Sequence, residues 1–114
     1  MDEQQHHEEI NHLIAQGLPV TETIEKMVAI YKALGNPTRL RIILALNQAT
    51  LSVNEIAAIL DMTQSSISHQ LSILKQLHLV QNVRRGQHIH YQLADAHIMS
   101  IVAEAKEHVT EVLE

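Results

Sequence analysis

Apolar residues recur every three or four positions along most of this chain, and in one stretch the period drops to two. The segment EQQHHEEINHLIAQG predicts a short helix, weak at its front and ended by Gly17 and Pro19. In TETIEKMVAIYKALG the residues Ile24, Met27, Val28, Tyr31 and Leu34 keep helical spacing until Gly35 stops it. NPTRLRIILALNQ opens with Asn36 as N-cap and Pro37 at the first helical position, where a missing N–H costs nothing. Its Leu40, Ile43, Leu44 and Leu46 predict a buried face.

SVNEIAAILD begins with Ser52 and Glu55 three apart, the spacing of a capping box. After a short break at Asp61 and Met62, MTQSSISHQLSILKQLHLV starts a further helix with Thr63 as N-cap. Ile67, Leu71, Leu74 and Leu77, with Ile73, form its inward stripe. Two such helices joined by a few residues make a helix-turn-helix unit. LVQNVRRGQHIHYQL then alternates about Gly86, with Val83, Ile89 and Tyr91 as strand formers, and predicts a hairpin. A last helix runs from about Asp95 to the end of the chain. The fold class is therefore mainly α with one β-hairpin. The 114 residues form a single domain, with a helical arm over 1–19, the helix-turn-helix over 52–78, the hairpin over 79–93 and the terminal helix over 95–114.

Composition narrows the chemistry. There is no cysteine, which excludes disulfides, thiol redox sensing and thiolate metal sites. No apolar run approaches the ~20 residues that span a bilayer, and the acidic start MDEQQHHEE is unlike a signal peptide. A soluble, cytoplasmic protein is expected. The net charge is −5, but it is unevenly spread. Residues 1–31 carry −5 and residues 91–114 carry −4, while residues 32–90 carry +4. A basic middle between acidic ends is the footprint of a phosphate-binding face.

That middle contains Gln64, Ser65, Ser68 and His69 on the outward side of the second helix-turn-helix helix. These are uncharged hydrogen-bonding side chains that can approach base edges in a major groove without filling it. The amino end of the helix favours phosphate. Arg84 and Arg85 at the hairpin tip would reach an adjacent groove or backbone. Double-stranded DNA is the expected partner. RNA and single strands need stacking platforms, and this chain has no Phe, no Trp and only Tyr31 and Tyr91.

YKALGNPTRLRIILAL, SVNEIAAIL, TQSSISHQLSILKQLHLV and VRRGQHIHYQL together resemble the ArsR/SmtB family of bacterial metal-responsive repressors. The resemblance covers roughly residues 24–113. It implies a winged helix-turn-helix homodimer that binds an imperfect inverted repeat in operator DNA and blocks transcription until metal releases it. It also carries DNA contact over to Gln64, Ser65, Ser68 and His69, and to the wing residues Arg84 and Arg85.

The terminal helix ADAHIMSIVAEAKEHVTEVLE carries Asp95 and His97 near its start and His108 and Glu111 near its end. Eleven residues separate the histidines, ~16 Å along a helix axis and nearly three whole turns. They share a face but cannot share an ion, because zinc bonds are ~2 Å long. Antiparallel packing against a second copy brings each start to the other's end and makes two identical sites of four ligands. Ile98, Ile101, Val102, Ala105, Val109 and Val112 are placed to bury that seam. The family's C-terminal-helix pattern, D-x-H followed by H-x-x-E or H, falls on the same four residues.

Two imidazoles and two carboxylates suit zinc, with cobalt next. Nickel would need further ligands, which His6, His7 and His12 could supply, although these three read first as solvated residues on a frayed helix. Leu51, Ser52 and Val53 stand where some relatives carry thiolates, so that second type of site is expected to be absent. By family precedent, His108 would donate its other ring N–H toward the backbone around His78, at the end of the recognition helix. His78, His88 and His90 otherwise read as surface or hairpin residues. One alternative is a winged-helix regulator whose metal site is structural or vestigial. A small zinc enzyme is disfavoured, because four ligands close the site and no H-E-x-x-H occurs.

Overall fold

A computed structural model describes residues 2–113. Two compact units are present, residues 1–30 and residues 31–114. The first holds α1 (Glu3–Gly17) and most of α2 (Thr21–Leu34). Asp2 caps α1 by accepting the Gln5 N–H at 2.7 Å, and α1 buries none of its residues.

In the second unit the order is the end of α2, α3 (Pro37–Gln48), β1 (Leu51–Ser52), α4 (Val53–Leu60), α5 (Gln64–Gln76), β2 (Val80–Arg85), β3 (His88–Leu93) and α6 (Ala96–Leu113). Each helix start has a local cause. Asn36 Oδ1 accepts the Arg39 N–H at 3.0 Å, and Pro37 needs no partner there. Ser52 and Glu55 exchange the two bonds of a capping box at 3.0 and 3.2 Å. Thr63 Oγ1 accepts the Ser66 N–H at 3.1 Å.

Two helix ends adopt the same Schellman geometry. Asp61 (φ 54°) and His78 (φ 59°) both sit in the left-handed region. The Met62 N–H reaches back to Ala57 at 2.9 Å, and the Leu79 N–H reaches back to Leu74 at 3.0 Å. Neither position is glycine, so each end carries a local backbone cost.

The core is built by Ile42, Ile43, Ile56, Ile67, Leu71 and Leu74, all fully buried. The face of α3 is turned slightly from the expected one. Ile42 joins Ile43 and Leu46 inside, while Leu40 and Leu44 are only half-buried. They line an apolar groove with Tyr31, Leu34, Ile101 and Val109. The sheet is also larger than a hairpin. β1 pairs antiparallel with β3, giving the order β1-β3-β2. A two-residue strand leaves no alternation to detect, so only the hairpin was legible. Its turn is Gly86–Gln87, and of the two only Gly86 has positive φ, at 63°. That is the pattern of a type II′ turn, which calls for glycine first.

Asp95 precedes α6 and accepts the His97 N–H at 2.8 Å, so the helix begins one residue after the expected Asp95. At the other end it is described to Leu113. The expected extension to Glu114 lies outside the described residues. Ile98 and Val102, assigned to a seam between copies, are buried within the chain's own core. Ile101, Ala105, Val109 and Val112 remain exposed on α6. No described helix is long and apolar enough to cross a membrane.

Candidate nucleic-acid interface and metal-binding helix

Helix α5 separates its two faces cleanly. Ile67, Leu71 and Leu74 are buried, whereas Gln64, Ser65, Ser68 and His69 are exposed. Residues 68 and 69 lie one turn beyond 64 and 65, so the four polar side chains share a patch. The patch lies over the first two turns of the helix, where unpaired N–H groups and the dipole add positive character. None of the four is held by a side-chain hydrogen bond among the described residues, so all are available to a ligand.

The wing presents Arg84 and Arg85 in the exposed rim beside Gly86. Strand register sends them to opposite faces. Arg84 lies opposite Ile89, and Arg85 lies opposite His88. The face of Arg85 continues through the pair Val83 and His90. His90 Nε2 lies 3.6 Å from Glu55 Oε1, across from β3 to the start of α4. The Ser52 backbone N–H and hydroxyl, and then the charges of His90 and Arg85, hold the Glu55 carboxyl below its usual range. His90 is thus not a plain surface residue. Its side chain is 18% exposed, and its Nδ1 is buried without a partner. Nothing in the sequence announced this contact, because it depends on the third strand.

On α6 the structure gathers the four expected ligands into two pairs, not one group. Asp95 Oδ1 lies 3.3 Å from His97 Nδ1, and the His97 side chain is 92% exposed. His108 and Glu111 are exposed near the far end of the same unbroken helix, three residues apart and so neighbours on its surface. Among the described residues no three His, Cys, Asp or Glu side chains converge on one point. The donor set itself fits a zinc- or cobalt-type ion. It offers imidazole nitrogen and carboxylate oxygen with no sulfur, and the cap engages only one oxygen of Asp95. His6, His7 and His12 lie exposed on α1. No hydrogen bond joins His108 to the backbone near His78 among the described residues.

Comparison with known proteins follows this geometry. Residues 36–82 match the family model described as bacterial regulatory protein, arsR family. Over 87 residues the chain is 38% identical to the transcriptional repressor SmtB homolog of Synechocystis, covering 76% of this chain and 66% of that protein. Over 88 residues it is 35% identical to the HTH-type transcriptional regulator NmtR of Mycobacterium tuberculosis, covering 77% of this chain and 73% of that protein. The chain belongs to the arsR family.

Members of this family are regulatory proteins and not enzymes. The fold agrees. The homodimeric winged helix-turn-helix DNA-binding domain of Mb0332 from Mycobacterium bovis superposes with a TM-score of 0.77 at 28% identity, covering 86% of this chain and 93% of that one. The cadmium metal-sensor CmtR of Mycobacterium tuberculosis gives 0.61 at 35% identity, over 68% and 80% of the two chains. The chain is therefore a winged helix-turn-helix protein in which α4 and α5 form the helix-turn-helix and β2–β3 the wing.

Proposed function

We propose that the protein is a cytoplasmic transcriptional repressor that binds operator DNA as a homodimer and releases it when zinc, or cobalt, binds. Genes for metal efflux or sequestration would then be derepressed. The observation that carries the metal reading is the unbroken α6, with Asp95 and His97 at one end and His108 and Glu111 at the other. One chain cannot close that set, whereas two chains related by a two-fold axis close it twice. The exposed apolar residues Ile101 and Val109, which line a groove with Tyr31, Leu34 and Leu44, offer the surface for that pairing.

Gln64, Ser65, Ser68 and His69 would read base edges, and Arg84 and Arg85 would hold phosphate. A bound zinc or cobalt ion would supply a cross-link between the two terminal helices. An effector that binds the free dimer more tightly than the DNA-bound dimer weakens DNA binding by the same factor, typically ~1–3 kcal/mol per site. His78, at the junction of recognition helix and wing, is the position through which His108 would act. Nickel, with help from His6, His7 or His12, is the less favoured ion.

A second reading has a specific observation in its favour. Asp95 already has a task as the cap of α6, so the metal site could be structural or vestigial. Titrating zinc into the protein bound to operator decides between them. Release in the wild type, abolished by His97→Ala, supports the sensor. Unchanged or tighter binding supports the second reading.

A further inference from the structure

Arg39 is held at three points. Its backbone N–H is bonded to Asn36, its Nε donates to the Ala33 carbonyl at 2.9 Å, and its Nη1 donates to Gln70 Oε1 at 3.0 Å. The last of these spans 31 residues. Among the described residues it is the only side-chain hydrogen bond joining positions more than six apart. All three bonds are partly buried.

The two ends of this bridge belong to different jobs. Gln70 lies on the recognition helix directly after His69. Ala33 is buried in the last turn of α2, between Tyr31 and Leu34 of the apolar groove. A guanidinium holds its donors in a rigid planar fork, so the two acceptors are fixed relative to each other. Arginine cannot accept a hydrogen bond, so Gln70 must present its oxygen, and its amide orientation is set.

We propose that Arg39 is a positioning residue for DNA recognition. It is a strut that sets the attitude of α5 against the α2–α3 corner, without touching DNA itself. The inference rests on the DNA-binding reading given above. Base reading depends on the angle of the helix, whereas the phosphate contacts proposed for Arg84 and Arg85 on the wing do not. Losing the strut should therefore reduce discrimination more than it reduces attachment.

The test uses the full-length protein, a duplex selected from a random pool by the wild type, and a scrambled duplex of the same length. Arg39→Met and Gln70→Met should each lower the preference for the selected duplex by ~10-fold, the scale expected for one charge-assisted bond. The double variant should be no worse than either single one. The dependence of affinity on salt should stay as in the wild type, because no phosphate contact is lost. Arg39→Lys, which keeps the charge but not the fork, should behave like Arg39→Met. Gln70→Met, at a half-exposed position, keeps the test open should Arg39→Met fail to fold. Equal losses on both duplexes with a shallower salt slope, additive losses in the double variant, or full rescue by Arg39→Lys would each overturn the strut. Failure of the wild type to select any duplex would instead sink the DNA-binding reading.

Discussion

Asp95 holds His97 twice: its Oδ1 accepts the His97 N–H at 2.8 Å and lies 3.3 Å from the His97 imidazole. The cap therefore sets the backbone from which one proposed ligand projects, and the capping carboxylate is itself another of the four. Asp95→Asn separates the two roles, since asparagine caps as well as aspartate but coordinates weakly. Zinc affinity by competition titration should fall at least ~10-fold, with the melting temperature of the metal-free protein unchanged. Asp95→Ala should lose the same affinity and, in addition, about 1 kcal/mol of stability.

Gln64 and His69 on one side, and Arg84 and Arg85 on the other, should fail in different ways. Gln64→Ala or His69→Ala should cost ~1–3 kcal/mol on operator and little on scrambled duplex, with the salt dependence unchanged. Arg84→Ala or Arg85→Ala should weaken both duplexes and reduce the slope of log affinity against log salt by ~0.9 for each phosphate contact removed. Fluorescence anisotropy across a salt series reads both.

His78→Gly should stabilise the protein. The position has φ 59° at the end of α5, in a Schellman turn where glycine carries no Cβ penalty. The gain should be about 0.5–1 kcal/mol, a rise of a few degrees in Tm by calorimetry. Substitution to valine should destabilise, because a β-branched side chain resists that region more strongly.

Glu55 should make stability depend on acid. Its carboxyl titrates below its usual range, chiefly through the Ser52 backbone N–H. A depressed folded-state pKa contributes stability above the unfolded value, and that contribution is lost as pH falls through the folded one. Glu55→Gln keeps a capping box but cannot titrate. Denaturant unfolding should show the wild type losing its advantage over this variant as pH drops below the usual glutamate range, with no such change between pH 6 and 8.

Much of this architecture was readable from pattern. Asn36, Ser52 and Thr63 each cap the helix they were expected to cap, because capping is decided within three or four residues. The exposure of Gln64, Ser65, Ser68 and His69 followed from the stripe of Ile67, Leu71 and Leu74 on the other side. What escaped was long-range. The strand Leu51–Ser52 is too short to show alternation. The contact of His90 with Glu55 exists only because that strand places α4 beside the wing. On α6 the spacing gave the apolar stripe but not its allocation. Ile98 and Val102 went to the chain's own interior, since periodicity marks which side is apolar and not which neighbour covers it.

Ser52 is both a rung of the sheet opposite His90 and the residue that starts α4. The middle of the wing and the first helix of the helix-turn-helix thus meet at one shared residue. Outward of that residue, among the described residues, β2 and β3 pair only with each other, Arg84 with Ile89 and Arg85 with His88. On the DNA-binding reading proposed above, that tip would meet phosphate without shifting the helix that reads bases.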